Sequence, residues 1–175
     1  MIVEIAGTHC VGKTTICKSF ESLGGKCVRT ITWYCVRLRG IDRQKCFEYA
    51  IVDAYYRAKA VEDRYPLVAI DNSLLSVAAY NAFYGIPYQQ VLEKWLELKN
   101  RLEIQTIVLI AGRETLARNC IWRKRNNAIW ETETAEKVQE KIVELYWKMA
   151  EKEKEGEKEK ATLIALSEEQ HPCSQ

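Results

Sequence analysis

Residues 7–14 read GTHCVGKT, and this stretch decides the fold. It matches the GxxxxGK[ST] pattern of a phosphate-binding loop. The apolar run before it, MIVEIA at 1–6, predicts a buried strand, and residues 14–20 predict the start of a helix. A loop between a strand and a helix can turn its backbone N–H groups inward around an anion, and the helix adds its positive dipole end.

The side chains of this loop have separate predicted tasks. Lys13 can reach the β- and γ-phosphates of a nucleotide, and the Thr14 hydroxyl can bind Mg²⁺. His9 and Cys10 occupy variable positions, from which we expect backbone contacts alone. The sequence therefore predicts bound ATP and Mg²⁺. The residues predicted to contact the nucleotide are Gly7, Thr8, His9, Cys10, Val11, Gly12, Lys13, Thr14 and Thr15.

Composition limits the class of protein. The chain has 175 residues, 47% of them apolar and 29% charged, which suits one globular domain over residues 1–175. A net charge of +2 is too small to indicate a nucleic-acid or membrane partner. The first apolar run is a six-residue strand and not a signal peptide, and no run is long enough to span a membrane. We therefore expect a cytoplasmic protein.

Seven cysteines are many for such a protein, and none forms a CxxC pair, which disfavours zinc. We favour the interpretation that they are small buried hydrophobic residues, and the alternative is that they form disulfides. Cys173, the third residue from the end, could be disulfide-bonded or free. The Lys/Glu-rich stretch 151–160 is typical of thermophiles, in which intracellular disulfides occur.

Strand and helix patterns alternate along the rest of the chain. The predicted strands are 1–6, 26–31, 67–70, 106–111 and 161–166. The predicted helices include 42–62, 74–83, 114–125 and 134–153, with one more around 91–102. Alternation of this kind indicates a parallel sheet with right-handed crossovers. We predict an α/β fold of three layers, α/β/α, with a five-stranded parallel sheet, the P-loop NTPase architecture.

Asp71 ends the apolar run 67–70 and is the second predicted metal ligand. In a parallel sheet the carboxyl ends of the strands lie at one edge, so Asp71 and Gly7 should face the same crevice. There Asp71 could hold Mg²⁺ with Thr14, or accept a proton from an attacking oxygen. The alternative is that Asp71 caps the helix that follows, together with Asn72 and Ser73.

At this point the chain resembles the thymidylate kinase branch of P-loop nucleoside monophosphate kinases. That family carries Asp-Arg-Tyr-x-x-Ser-x-x-Ala-Tyr-Gln after its third strand, and residues 71–81 here read DNSLLSVAAYN. The matching positions are Asp71, Ser76, Ala79 and Tyr80. The resemblance implies an ATP-dependent kinase acting on a nucleoside monophosphate, with dTMP or a related pyrimidine nucleotide as the leading acceptor, and a homodimer through the long helices.

The resemblance also implies roles for individual residues. Residues 113–131 look like the lid of the family, which places Arg118, Arg123 and Arg125 over the transferring phosphoryl group as catalytic residues beside Lys13 and Asp71. The implied substrate-binding residues are Arg57, Asn72, Ser76 and Tyr80.

Three departures from the family pattern concern the acceptor side. Asn72 stands where the family has an arginine, residues 30–34 lack the Arg-Glu-Pro-Gly-Gly segment, and the lid lacks the Asp-Arg pair. Another cation would have to bind an acceptor phosphate, and Arg37, Arg39 and Arg57 are the candidates.

Two other functions stay open. The acceptor could be another small hydroxyl metabolite, or the chain could be a nucleotide-dependent switch with little turnover. The absence of Asn-Lys-x-Asp and of Asp-x-x-Gly after a strand disfavours a GTPase, and the near-neutral charge disfavours a nucleic-acid ATPase.

Overall fold

A computed structural model of the protein describes residues 1–123, 127–154 and 162–166, with side chains in 1–123 and 127–151. The strands are β1 (Ile2–Ala6), β2 (Lys26–Val28), β3 (Val68–Ile70), β4 (Ile104–Ala111) and β5 (Thr162–Leu166). The α-helices are α1 (Lys13–Ser19), α2 (Gly40–Lys59), α3 (Leu74–Phe83), α4 (Gln89–Leu102), α5 (Arg113–Trp122) and α6 (Ala128–Lys154).

The strands form one parallel sheet in the order β2-β3-β1-β4-β5. Side chains are described in four of them, and β5 pairs with β4 at the edge through its backbone. The predicted α/β fold with a parallel sheet is confirmed. Because β2, β3 and β1 are neighbours, the loops after them lie at one edge of the sheet, where Arg29, Asp71 and Gly7 follow the strands.

Alternation along β1 divides the core into two layers. Ile2 and Ala6 belong to a cluster with side chains of α2, α3, α4 and α6. Val3 and Ile5 belong to a second cluster, which includes buried side chains of α1 and α5. Successive side chains of a strand point to opposite faces of the sheet, so helices cover both faces, as the three-layer prediction requires.

Two predicted boundaries were wrong beside the site. The second strand ends at Val28 and not at residue 31, because its neighbour β3 has three residues and offers no further ladder after Ile70. The chain then turns away, and the Asp71 N–H donates to the Val28 carbonyl at 3.1 Å. Arg29 therefore starts a loop instead of lying within a strand.

The boundaries of the predicted lid also differ. The basic helix runs from Arg113 to Trp122 and not from 114 to 125, and the last helix begins at Ala128 and not at 134. Asn127 starts this last helix earlier, since its backbone carbonyl accepts from Glu131 N–H and its side-chain oxygen from Trp130 N–H. Within residues 113–131 the structure therefore describes α5 and the first turn of α6.

One carboxylate is buried in the larger core layer. Glu4, on β1, is fully buried and accepts hydrogen bonds from Tyr55 of α2, from Trp95 of α4 at 2.5 Å and from Thr106 of β4 at 2.7 Å. The Tyr55 hydroxyl also accepts from the Leu74 N–H, 3.0 Å away, in the first turn of α3. Burial raises the pKa of Glu4 above its ordinary value of 4.5, and the three hydrogen bonds oppose that shift.

We expect Glu4→Gln to stabilise the protein relative to wild type as pH rises. A raised folded-state pKa means that native Glu4 holds its proton above pH 4.5, so its contribution to stability is fully present below that pH and is lost on approach to the folded pKa. Within this window wild type should lose about 1.4 kcal/mol per pH unit relative to the variant. Denaturant unfolding at pH 5, 6, 7 and 8 measures the difference.

The exposed Glu93→Gln variant on α4 serves as the control, and its unfolding free energy should follow that of wild type at each pH. A constant difference between Glu4→Gln and wild type across the series would contradict the prediction.

Candidate functional site

The loop between β1 and α1 has the closed geometry of a phosphate site. Gly12 has φ +101° and Cys10 has φ +64°, so the backbone turns twice through the left-handed region before α1 begins at Lys13. Gly7 lies under the loop, and a Cβ there would lie 2.8 Å from Val11 Cγ1 and 3.3 Å from the Leu109 carbonyl oxygen. Glycine at position 7 is therefore required by close packing, and at position 12 by backbone conformation.

Lys13 is folded back over this loop. Its Nζ donates to the carbonyl oxygens of Gly7 at 2.9 Å and Thr8 at 2.7 Å. Burial lowers its pKa to about 8, a shift that the charge of Asp71 opposes and the charge of Arg123 assists. The ammonium group thus lies at the loop with the two charged residues that the sequence assigned to the same site.

Asp71 and Thr14 lie together beside Lys13. Burial raises the pKa of Asp71, whereas a hydrogen bond from Thr14 and the charges of Lys13, Arg29 and Arg123 lower it. The helix-capping alternative for Asp71 is wrong, because the N-cap of α3 is Ser73, whose Oγ accepts from the Leu75 N–H at 3.0 Å. The Asp71 carboxylate is therefore available to the site.

Two predicted substrate residues support the loop. Ser76 Oγ accepts from the Gly7 N–H at 3.0 Å, and the Tyr80 hydroxyl accepts from the His9 N–H at 2.9 Å. Tyr80 is also 3.2 Å from Thr8 Oγ1, and burial raises its pKa to about 12. Ser76 and Tyr80 thus hold the loop from α3, which is a positioning role that the residue pattern did not show.

The His9 side chain is used, contrary to the expectation of backbone contacts alone. Its Nδ1 is 2.5 Å from the Tyr80 hydroxyl, and its Nε2 is 2.8 Å from Glu131 Oε2. Glu131 belongs to the first turn of α6, so His9 connects the phosphate loop to the predicted lid. A partner 122 residues away leaves no signal in the local sequence.

The predicted lid arginines have different positions. Arg123 follows α5 and lines a pocket of ≈ 250 Å³ together with Cys10, Gly12, Thr15, Asn119 and Trp122. Arg118 is exposed on α5 and is not one of the lining residues. Arg125 lies outside the described residues. Of the two lid arginines that the structure describes, Arg123 is the one whose charge acts on Lys13 and Asp71.

Arg57 and Asn72, the two other residues predicted to bind the phosphate acceptor, make local contacts. Arg57 pairs with Asp53 at 2.6 Å and donates to the Arg29 carbonyl at 3.0 Å, so the end of α2 is joined to the loop after β2. Asn72 Oδ1 accepts from the Ser73 N–H. Arg29 itself is exposed, and its charge acts on Asp71. Sequence analysis missed Arg29 because it placed this residue inside a strand.

The interpretation of the cysteines as free buried residues was wrong for six of the seven. They form the disulfides Cys10–Cys120, Cys17–Cys27 and Cys35–Cys46, and Cys173 lies outside the described residues. The ligand atoms of His9, Cys10 and Cys120 lie within 4.8 Å of one another, but the two sulfurs are bonded to each other and not available to a metal. Within the part of the chain that the structure describes, no helix combines the length and apolar character of a membrane span.

Solved structures with a similar fold include nucleotide-bound proteins. Deoxyadenosine kinase from M. mycoides with bound dATP has a TM-score of 0.61 and 18% identity, covering 95% of this chain and 90% of that one. The same enzyme with bound dCTP has a TM-score of 0.57 and 17% identity, covering 95% and 89%. The YorR protein from Bacillus subtilis, in complex with phosphorylated GDP, has a TM-score of 0.57 and 11% identity, covering 94% and 84%. At these identities the similarity shows a common fold.

No curated protein sequence matches the chain. A protein-family model does match the chain, and the match includes the phosphate loop, Asp71, α5 and nearly all of α6. Since the model described as "AAA domain" matches residues 2–152, the chain belongs to the AAA domain family.

Proposed function

We propose that the protein is an ATP-dependent kinase that transfers the γ-phosphate to a nucleoside or nucleoside monophosphate, with dTMP or a related pyrimidine nucleotide as the leading acceptor. One observation carries this proposal: Lys13 and Asp71 are close enough for each charge to shift the pKa of the other group, at a loop shaped for phosphate. The folds of the deoxyadenosine kinase structures support it.

The donor would be ATP with Mg²⁺. The Thr14 hydroxyl and the Asp71 carboxylate are neighbouring hard oxygen ligands, which suit this ion, and the structure brings them into hydrogen-bond contact. Magnesium bound there supplies positive charge next to the phosphate oxygens. The loop N–H groups and Lys13 bind the same phosphates, and Arg123 faces them from the end of α5.

In the proposed reaction an acceptor oxygen attacks the γ-phosphorus. The bond from this phosphorus to the β–γ bridging oxygen breaks, ADP leaves, and the acceptor proton moves to a base. Asp71 is suited to receive it, because burial raises the pKa of its carboxyl group. Binding the metal and accepting the proton are not exclusive roles. Arg123 and Arg118 remain the proposed lid arginines, together with Arg125.

Phosphate transfer from ATP to a panel of acceptors tests the proposal. Acceptor-dependent ADP formation with a nucleoside or a nucleoside monophosphate supports it. Transfer to other hydroxyl metabolites alone, or ATP binding without turnover, would contradict it and would favour the metabolite kinase or the switch. The absence of nucleic-acid and membrane partners, the homodimer and the cytoplasmic compartment stay predictions.

Arg57→Ala distinguishes a monophosphate acceptor from a nucleoside. A charge-assisted contact to phosphate contributes ~1.5–3 kcal/mol, so its loss should raise the KM for a monophosphate roughly 10- to 100-fold while ATP binding changes little. Arg57 is the candidate cation because it joins α2 to the loop carrying Arg29. Steady-state kinetics with both substrates varied measure the effect.

Arg101→Ala provides a matched control, since Arg101 is also exposed on a helix and pairs with a carboxylate four residues away, Glu97. Its KM values should equal those of wild type. If Arg57→Ala is also unchanged for every monophosphate tested, then Arg57 does not bind the acceptor phosphate, and a nucleoside becomes the favoured acceptor.

A further inference from the structure

One disulfide joins the phosphate loop to the predicted lid. Cys10 occupies the middle of the loop, and Cys120 lies in the last turns of α5, 110 residues along the chain. Both side chains are buried. The other two disulfides do not involve α5: one joins α1 to β2, and one joins the turn Cys35–Arg37 to α2. Cys10–Cys120 is thus the bond that fixes α5 to the nucleotide side of the loop.

The same two elements form the walls of the pocket beside the loop. Cys10, Gly12 and Thr15 line one side, and Asn119, Trp122 and Arg123 line the other. Besides the disulfide, Asn119 Nδ2 donates to the Cys10 carbonyl at 2.8 Å. Without the covalent bond, the two walls would be held by this hydrogen bond and by apolar contacts, which permit α5 to move relative to the loop.

We propose that Cys10–Cys120 is a thiol–disulfide exchange site through which a dithiol sets the nucleotide affinity of the protein. Because both cysteines are buried, the attack follows a local opening of α5. A thiolate of the dithiol then attacks one sulfur and breaks the Cys10–Cys120 bond, leaving a mixed disulfide and one free cysteine thiolate. The second thiol of the reagent then attacks the mixed disulfide. The protein gains two electrons and two protons as two thiols, and the dithiol becomes a cyclic disulfide.

The oxidised form is the one that binds nucleotide tightly. It fixes the end of α5, which carries the exposed Trp122 and Arg123, against the loop before the ligand arrives, whereas the reduced form must order this helix end on binding. Ordering a short segment of this kind weakens affinity about tenfold. The coupling is reciprocal, so bound nucleotide must disfavour reduction by the same factor. For a two-electron couple, tenfold corresponds to about 30 mV, and ATP should shift the midpoint potential of the disulfide to more negative values by that amount.

The experiment uses the full chain, MgATP as ligand and dithiothreitol as the dithiol. Calorimetry gives the Kd for MgATP before and after reduction, and alkylation with mass spectrometry reports which cysteines are reduced. We expect the Kd of wild type to rise about tenfold on reduction. Cys120→Ala should show the raised Kd under both conditions. The double variant Cys35→Ser/Cys46→Ser lacks a disulfide remote from the loop and should respond to the dithiol as wild type does.

The midpoint potential of the wild-type chain is the second measurement, and it needs no variant. A shift near 30 mV that saturates with MgATP supports the proposal. A shift that keeps growing with MgATP concentration would overturn it. Such a shift would mean that the reduced protein is unfolded and does not bind MgATP, because a ligand that binds the folded state alone stabilises it without limit as its concentration rises. An equal Kd in both redox states, or an alkylated Cys120 in the oxidised protein, would also overturn it.

This inference rests on the proposed nucleotide site, and the two can fail separately. MgATP binding that depends on the Cys10–Cys120 bond, without transfer to any acceptor, would support the exchange site and contradict the kinase. Phosphoryl transfer at a Kd that reduction does not change would support the kinase and contradict the exchange site.

Discussion

Lys13→Ala should lose phosphoryl transfer by more than ~100-fold while the protein stays folded, the scale on which removal of one preorganised donor acts in other enzymes. In the structure Lys13 Nζ donates to the loop carbonyls of Gly7 and Thr8, and Lys13 is not part of either core layer, so its removal leaves both layers intact. Initial rates of ADP formation at saturating ATP, with circular dichroism as the test of folding, measure the effect.

The pH profile adds an independent readout for Lys13. Its pKa of about 8 means that the nucleotide-free protein loses this positive charge as pH rises through that value. ATP affinity of wild type should therefore fall above pH 8, and that step should be missing in Lys13→Ala. Lys18→Ala, an exposed lysine in the last turn of α1, is the matched control and should keep both the rate and the pH step. Wild-type turnover in folded Lys13→Ala would refute the assignment.

Asp71→Asn should reduce the rate strongly, weaken the dependence on Mg²⁺ and change ATP binding less. The substitution keeps the shape of the side chain but removes the charge that would hold the metal with Thr14 and that could take the acceptor proton. The measurements are the rate as a function of Mg²⁺ concentration and the ATP Kd. The exposed Asp63→Asn should behave as wild type in both.

Thermal stability separates a chemical role of Asp71 from a structural one. Burial raises the folded-state pKa of this carboxyl group, so its contribution to stability is present below pH 3.8, its ordinary pKa, and is lost as pH rises through the folded value. At neutral pH Asp71→Asn should therefore have a Tm equal to or above that of wild type. An active and equally stable variant would rule out both the metal role and the base role.

Much of the fold could be predicted because its signals are local. The apolar runs at 67–70 and 106–111 mark β3 and β4, and helical spacing places α3 at Leu74–Phe83, the predicted bounds. The glycines and Lys13 of the loop follow from a short motif. The two errors have different causes. The strand β2 stops where its neighbour β3 stops, which is a tertiary effect, whereas α6 starts early because Asn127 caps it, a local signal that apolar periodicity does not contain.

The sequence by itself determined the order of strands and helices, the phosphate loop and the acid after β3, since periodicity and motif spacing act over a few residues. The tertiary structure decided how those parts meet. Ser76 supports Gly7 from 69 residues away, His9 reaches Glu131 across 122, and Cys10 bonds Cys120 across 110. It also placed Arg29 beside Asp71. These contacts depend on how the helices pack on the two faces of the sheet. That packing is determined by the side chains of the whole core together, so a short stretch of sequence does not contain the information needed to predict it.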